Sequence, residues 1–211
     1  MKAAIRLLTV VLALVGAGAL AAGAWLIRGG INAKQQPGAV ETSLARRLRA
    51  AAIPSTARRT ANPVQLTPDV VEAGMAHFAN HCASCHGNDG GADTDMARGL
   101  YPKVPDMRLA ATQSMSDGEL FYIIENGVKL TGMPAWATGT REGEEASWVL
   151  VHFIRHLPKI TDAELEKMKA MNPKSSDEWR EEEEARRFLE GGSDPAPAPA
   201  VPPHKHGGQK Q

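Results

Sequence analysis

Cysteine is nearly absent: the 211 residues hold only two, Cys82 and Cys85. With no further thiol, a four-thiolate zinc site cannot form within the chain, and no long-range disulfide can staple it. Charge of one sign is also lacking, because 24 basic side chains balance 24 acidic ones. There is no internal repeat, and no βαβ pattern. That second absence removes the setting a thioredoxin-like redox pair would prefer. The length allows one or two domains.

Both cysteines are spent on one pattern, Cys82-Ala83-Ser84-Cys85-His86. A C-x-x-C-H run is the attachment signature of c-type haem. The thiols add across two vinyl groups as thioethers, and the neighbouring histidine ligates the iron from the proximal side. A single motif means a single covalent haem c. Cys82, Cys85 and His86 are therefore the first cofactor-binding residues, with His86 the first iron ligand.

The N-terminus reads as a membrane segment. Lys2 and Arg6 precede an apolar run over residues 7–27, closed by Arg28-Gly29-Gly30. The run is long enough to cross a bilayer and longer than a usual signal-peptide core. Small residues at Ala17, Ala19, Ala21 and Ala24 also offer cleavage sites. An uncleaved anchor is favoured on length, and either reading exports the rest of the chain. Charge is uneven beyond it. Residues 1–62 carry nine basic side chains and only Glu41 as an acid, whereas residues 67–157 carry twelve acids against six bases. A basic arm beside an acidic body suits an arm that faces anionic lipid.

Five segments follow from these patterns: an anchor or signal segment (1–28), a basic linker (29–66), a haem domain (67–157), a charged helical extension (158–190) and a disordered Pro/Ala/His tail (191–211). Within the linker, residues 43–52 predict a short basic amphipathic helix, and the whole stretch reads as a tether lying on the membrane surface. Thr67-Pro68-Asp69 opens a helix with an N-cap, a first-turn proline and an acid. Residues 88–110 show no regular pattern. Ser116-Asp117-Gly118-Glu119 is a capping box, and its helix stops at Asn126-Gly127. A further helix spans about 142–156, and Thr161 with Glu164 caps another. A last charged helix covers 177–189, containing the acidic run 181–184.

Gly74, Phe78 and the C-x-x-C-H, the Gly132-Met133-Pro134 loop, and a terminal helix with Leu150 and Phe153 together resemble a class I monohaem cytochrome c, membrane-anchored and bacterial. The resemblance covers residues 67–157 and neither the anchor nor the tail. It implies an all-α fold of three to five helices around one haem, here with an N-terminal transmembrane helix and a partly disordered tail. It further implies that the first and last helices cross where Gly74 lets the backbones approach, with Phe78, Leu150 and Phe153 packing the crossing.

The sixth ligand decides the chemistry. Met96, Met107, Met115, Met133, His152 and His156 all follow the motif. Met133 is favoured because Gly132 lets the backbone approach the haem and Pro134 stiffens the loop, and because the family presents its methionine from such a loop. Pro102 or Pro105 could offer a carbonyl to the second nitrogen of His86. Trp136 covers the haem or joins the core. Histidine–methionine ligation leaves no vacancy for oxygen or peroxide and raises the reduction potential.

The expected protein is a single-electron carrier, not itself an enzyme. It would be tethered to the bacterial inner membrane through residues 7–27 with its haem domain on the periplasmic face. Its partners would be periplasmic or membrane-bound redox proteins, and no nucleic-acid partner is expected. Two alternatives have other signatures. A haem subunit of a larger oxidoreductase, or a gas sensor, would have a displaceable distal ligand. A metal-handling protein would use His204 and His206 in the tail.

Overall fold

A computed structural model describes residues 2–30, 32–174 and 176–189. Residues 191–211, read above as a disordered tail containing His204 and His206, lie outside the described residues. The regular structure is helical throughout, with no strand among the described residues. The helices are α1 (Lys2–Gly29), α2 (Ala39–Ala52), α3 (Ser55–Arg59), α4 (Pro68–His81), α5 (Ala83–His86), α6 (Asp95–Arg98), α7 (Ala110–Gln113), α8 (Asp117–Asn126), α9 (Arg141–His156), α10 (Asp162–Lys169) and α11 (Ser176–Leu189). A single 3₁₀ turn, Leu157–Lys159, separates α9 from α10. The chain divides into two units, residues 1–172 and 173–211.

The caps read from the sequence are made. Thr67 Oγ1 accepts from the Val70 N–H at 3.3 Å, and Ser116 Oγ accepts from Glu119 N–H at 3.2 Å while Glu119 Oε2 accepts from Ser116 N–H at 2.8 Å. Thr161 and Glu164 close the same reciprocal box on α10. Each satisfies donors that the first helical turn leaves without partners.

The core is built on the contact of α4 with α9. A Cβ added to Gly74 would lie 2.8 Å from Phe153 Cβ and 2.8 Å from the Val149 carbonyl oxygen, so the two backbones meet there as the resemblance implies. Phe78 and Phe153 pack beside this point with ring centroids 5.2 Å apart, and Leu150 is also buried. Phe121 stacks on Trp148 at 4.0 Å, fastening α8 to the same helix. Gln113 and Arg155 tie the turn before α8 to α9. Gln113 Nε2 donates to the Met107 and Ile154 carbonyls, and Arg155 donates to Asp117 and to the Gln113 and Met115 carbonyls.

Packing runs past both ends of the 67–157 segment. The stretch 53–64, expected as a loose linker, is docked: Ile53 is buried, Asn62 Nδ2 donates to the Trp148 carbonyl at 3.0 Å, and a His152 ring nitrogen meets the Val64 carbonyl at 2.8 Å. The reason is Gly118. A Cβ there would sit 1.9 Å from the Ala57 carbonyl oxygen, so only glycine lets α3 lie against α8. At the other end, α10 returns to α4. Met168 is fully buried, Lys167 pairs with Glu72, and His156 meets Glu164 at 2.8 Å. Removing a buried thioether chain costs about 2–5 kcal/mol. Met168→Ala is therefore expected to lower the unfolding free energy of the haem-loaded protein by that amount in denaturant titration, with its visible spectrum unchanged.

In the second unit, α11 carries the acidic run 181–184. Lys174 Nζ reaches Glu182 at 2.5 Å and lies 5.2 Å from the centre of the Trp179 ring, which ties the start of this unit to its helix.

Candidate functional site

The cysteine motif begins where α4 ends. The Cys82 N–H donates to the Phe78 carbonyl at 2.8 Å, and the chain then makes one more helical turn as α5. His86 N–H donates to the Cys82 carbonyl at 2.9 Å. Residues three and four apart on a helix share a face, so Cys82, Cys85 and His86 are brought together by one turn. Gly87 then takes φ 72°, which lets the chain leave the turn at once. Thr94 holds the far side. Its Oγ1 donates to the Cys85 carbonyl at 3.3 Å and accepts from the Ala97 N–H at 3.0 Å.

His86 is buried, at 7% exposure, and burial pushes its imidazole down to about 4, against an opposing pull from the Pro105 carbonyl. It is neutral at pH 7, which is the form that ligates a metal. Its Nδ1 is enclosed and no group meets hydrogen-bond geometry there, although the Pro105 carbonyl lies near the ring. Of the two prolines left open by the sequence, Pro105 is the one beside His86. Its loop is clamped: Met107 N–H donates to the Gly90 carbonyl at 2.8 Å, and Arg108 bridges Asp89 and Asp106, each at 2.7 Å. The Arg108 hydrogen bond holds the Asp106 carboxyl below its usual range.

Burial, with Cys85 adding to it, pushes the Cys82 thiol up to about 12. A thiol that resists ionisation is a poor redox nucleophile. Cys85 Sγ lies 3.2 Å from Met96 Sδ.

The Met133 loop is a closed turn on the end of α8. The Val128 N–H donates to the Met133 carbonyl at 3.1 Å, Thr131 Oγ1 donates to the Val128 carbonyl at 2.7 Å, and the Met133 N–H donates to Thr131 Oγ1 at 3.1 Å. Gly127, with φ 65°, packs directly under it, since a Cβ there would meet Pro134 at 2.6 Å and the Met133 carbonyl oxygen at 2.7 Å. Gly132 is as tightly used: a Cβ would come within 2.6 Å of Leu100. Met133 itself is half-buried.

The competing ligands are placed elsewhere. Met107 is in the core and Met115 packs against it, within 3.8 Å of Arg49 Nη2. His152 and His156 are engaged with Val64 and Glu164. Met96 is exposed beside Cys85. A cavity of about 250 Å³ opens against Cys82, lined by His77, His81, Trp136, Ser147 and Leu150 among others. Its aromatic edge is continuous, with the His77 and His81 rings 5.0 Å apart and His81 5.8 Å from Trp136. Both histidines stand on α4, but no sequence pattern marks this edge, which depends on the Trp136 N–H donating to the Ile124 carbonyl at 3.1 Å.

These residues fit a covalently held haem. Two thiols and one buried imidazole with an orphaned Nδ1 stand on a single turn, and a separate preorganised loop carries a thioether. Among the described residues, no group of three or more His, Cys, Asp or Glu side chains forms a metal cluster.

Residues 69–154 match the family model described as cytochrome C oxidase, cbb3-type, subunit III. No curated protein matches the chain. The matched stretch spans α4 to α9, containing the C-x-x-C-H turn and the Met133 loop. That match indicates a c-type cytochrome domain over this stretch.

Proposed function

We propose that the protein is a one-electron carrier with one haem c on Cys82 and Cys85, ligated by His86 and Met133, and held by α1 on the outer face of a bacterial inner membrane. The observation that carries this reading is the buried His86, its Nδ1 enclosed and without a hydrogen-bond partner, one helical turn from the partly buried Cys82. When bound, the haem supplies the one-electron couple. The protein's own residues do the rest. The α5 turn fixes the imidazole, the Arg108 clamp keeps the Pro105 carbonyl beside it, and the hydrogen-bonded 128–133 turn presents the thioether. With His86 and Met133 both holding it, the haem would keep the same protein ligands in either oxidation state, so little in the chain would rearrange as an electron passed. α1 supports the tether: Lys2–Trp25 is long and apolar enough to cross a membrane.

Absorption spectra of the purified ferric and ferrous protein, before and after carbon monoxide, test this reading. Low-spin spectra unmoved by carbon monoxide, with haem that stays on the chain in denaturant, are expected. A high-spin spectrum or rapid carbon monoxide binding would replace it with a gas sensor or an enzyme.

A second reading is supported by the description of the matched family, which names an oxidase subunit. In that case the chain would leave the membrane in mild detergent as part of a larger haem-containing complex. A carrier would leave it alone.

A further inference from the structure

The helix α2 has two faces that do different things. Thr42 and Arg49 are half-buried, and Ile53 just beyond the helix is buried, so one side rests on the haem domain. Its partners there are Met115, 3.8 Å from Arg49 Nη2, and Tyr101, whose hydroxyl donates to Glu41. The opposite side carries Val40, Leu44 and Leu48, spaced by four and exposed at 83%, 55% and 60%. Ala51 and Arg47 complete that side, while Arg46 lies round the helix towards Arg49. Residues spaced by four line one helical stripe, and a stripe this apolar is ordinarily covered. A shallow groove along Val40, Ser43, Leu44 and Arg47 marks it on the surface.

Three observations say what covers it. Only residues 30–38 separate α1 from α2, a link that spans at most about 30 Å even when fully extended. α2 therefore stays close to wherever α1 enters a bilayer. The charge of α2 is mostly of one sign, because Arg46, Arg47 and Arg49 stand against the single acid Glu41, which accepts a hydrogen bond from Tyr101. A short helix with an apolar stripe and flanking arginines is also the form that lies in a headgroup layer, with its arginines reaching the phosphates.

We infer that α2 is a lipid-binding float: it beds Val40, Leu44 and Leu48 into the outer leaflet, with Arg47 on an anionic headgroup. Because its other face is bonded to the domain, the float holds the haem site at a set height and tilt instead of letting it swing on a free tether. The inference rests on the reading of α1 as a membrane helix and deepens it.

The test uses the full-length, haem-loaded protein in phosphatidylcholine vesicles with and without phosphatidylglycerol. Val40→Cys, Leu44→Cys and, as a control one position round the helix, Ala45→Cys are each labelled with an environment-sensitive fluorophore. The native cysteines are occupied by haem. Brominated acyl chains are expected to quench the labels at 40 and 44 about twofold more than the label at 45. Phosphatidylglycerol should strengthen the effect, and Arg47→Glu should weaken the quenching at 40 and 44 while the protein stays with the vesicles through α1. Protein that stays with the vesicles while all three labels remain unquenched overturns the float and leaves the α1 reading standing. Protein that washes off the vesicles overturns the α1 reading itself. Labels shielded only in native membranes, and never by lipid alone, overturn the float in favour of a protein partner.

Discussion

Met133→Ala is expected to remove the weak sulfur-to-iron band at long wavelength from the ferric spectrum. It should also lower the reduction potential by on the order of 0.2 V, a fraction of the roughly 0.8 V range that axial ligands command. A thioether is a soft, neutral donor that stabilises ferrous iron, so its loss favours the ferric state. The substitution isolates the donor because the loop does not depend on the side chain. The bonds closing the 128–133 turn run through the Met133 backbone and Thr131, and Gly127 and Gly132 pack through their missing Cβ atoms. Potentiometric titration of wild type and variant measures the shift directly.

Met96→Ala is the matching comparison. Met96 is the other methionine near the motif, exposed and in contact with Cys85 through sulfur. Its removal should leave both the band and the potential within error of wild type. A band that survives Met133→Ala and disappears in Met96→Ala would move the sixth ligand to the α6 turn. Met107 and Met115 need no such comparison, because both are committed to the core.

The helices were legible in the sequence because their ends carry chemistry that acts locally. Thr67, the Ser116–Glu119 pair and the Thr161–Glu164 pair all bond as their spacing requires. The motif turn was legible for the same reason, since five adjacent residues hold it. What escaped was tertiary. Nothing in a polar helix announces that one methionine, Met168, will be fully buried, and periodicity has little to say about a single residue. The docking of α3 depends on Gly118, which sequence reading assigns only to a capping box; its closeness to Ala57 appears when α8 and α3 are set side by side. Pro102 and Pro105 are equivalent on paper. They are separated by a clamp in which Arg108 reaches back nineteen residues to Asp89. Likewise, Leu100 filling the space at Gly132 joins two loops that share no pattern.

Gly74→Val is expected to have the largest effect on folding. Glycine inside an exposed helix is a defect, and replacing it with alanine ordinarily stabilises by up to about 1 kcal/mol. At Gly74 the sign should reverse. The added Cβ would stand 2.8 Å from both Phe153 Cβ and the Val149 carbonyl oxygen. Both neighbours belong to the α9 backbone or its first side-chain atom, so neither can rotate away. The helices must separate, and Phe78, Leu150 and Phe153 lose contact together. Overpacking of this kind costs about 1–3 kcal/mol for the smallest addition. Gly74→Ala should therefore lower the denaturant midpoint of the haem-loaded protein despite its better helix propensity. Gly74→Val should lower it further, by on the order of 3 kcal/mol or more, approaching the whole stability of a small domain. Because α4 leads straight into Cys82, the same strain should reach the motif, and the yield of haem-bearing protein should fall in the order glycine, alanine, valine. A Gly74→Ala protein at least as stable as wild type would mean that α4 and α9 do not meet at this residue, and the crossing would have to be placed elsewhere along the two helices.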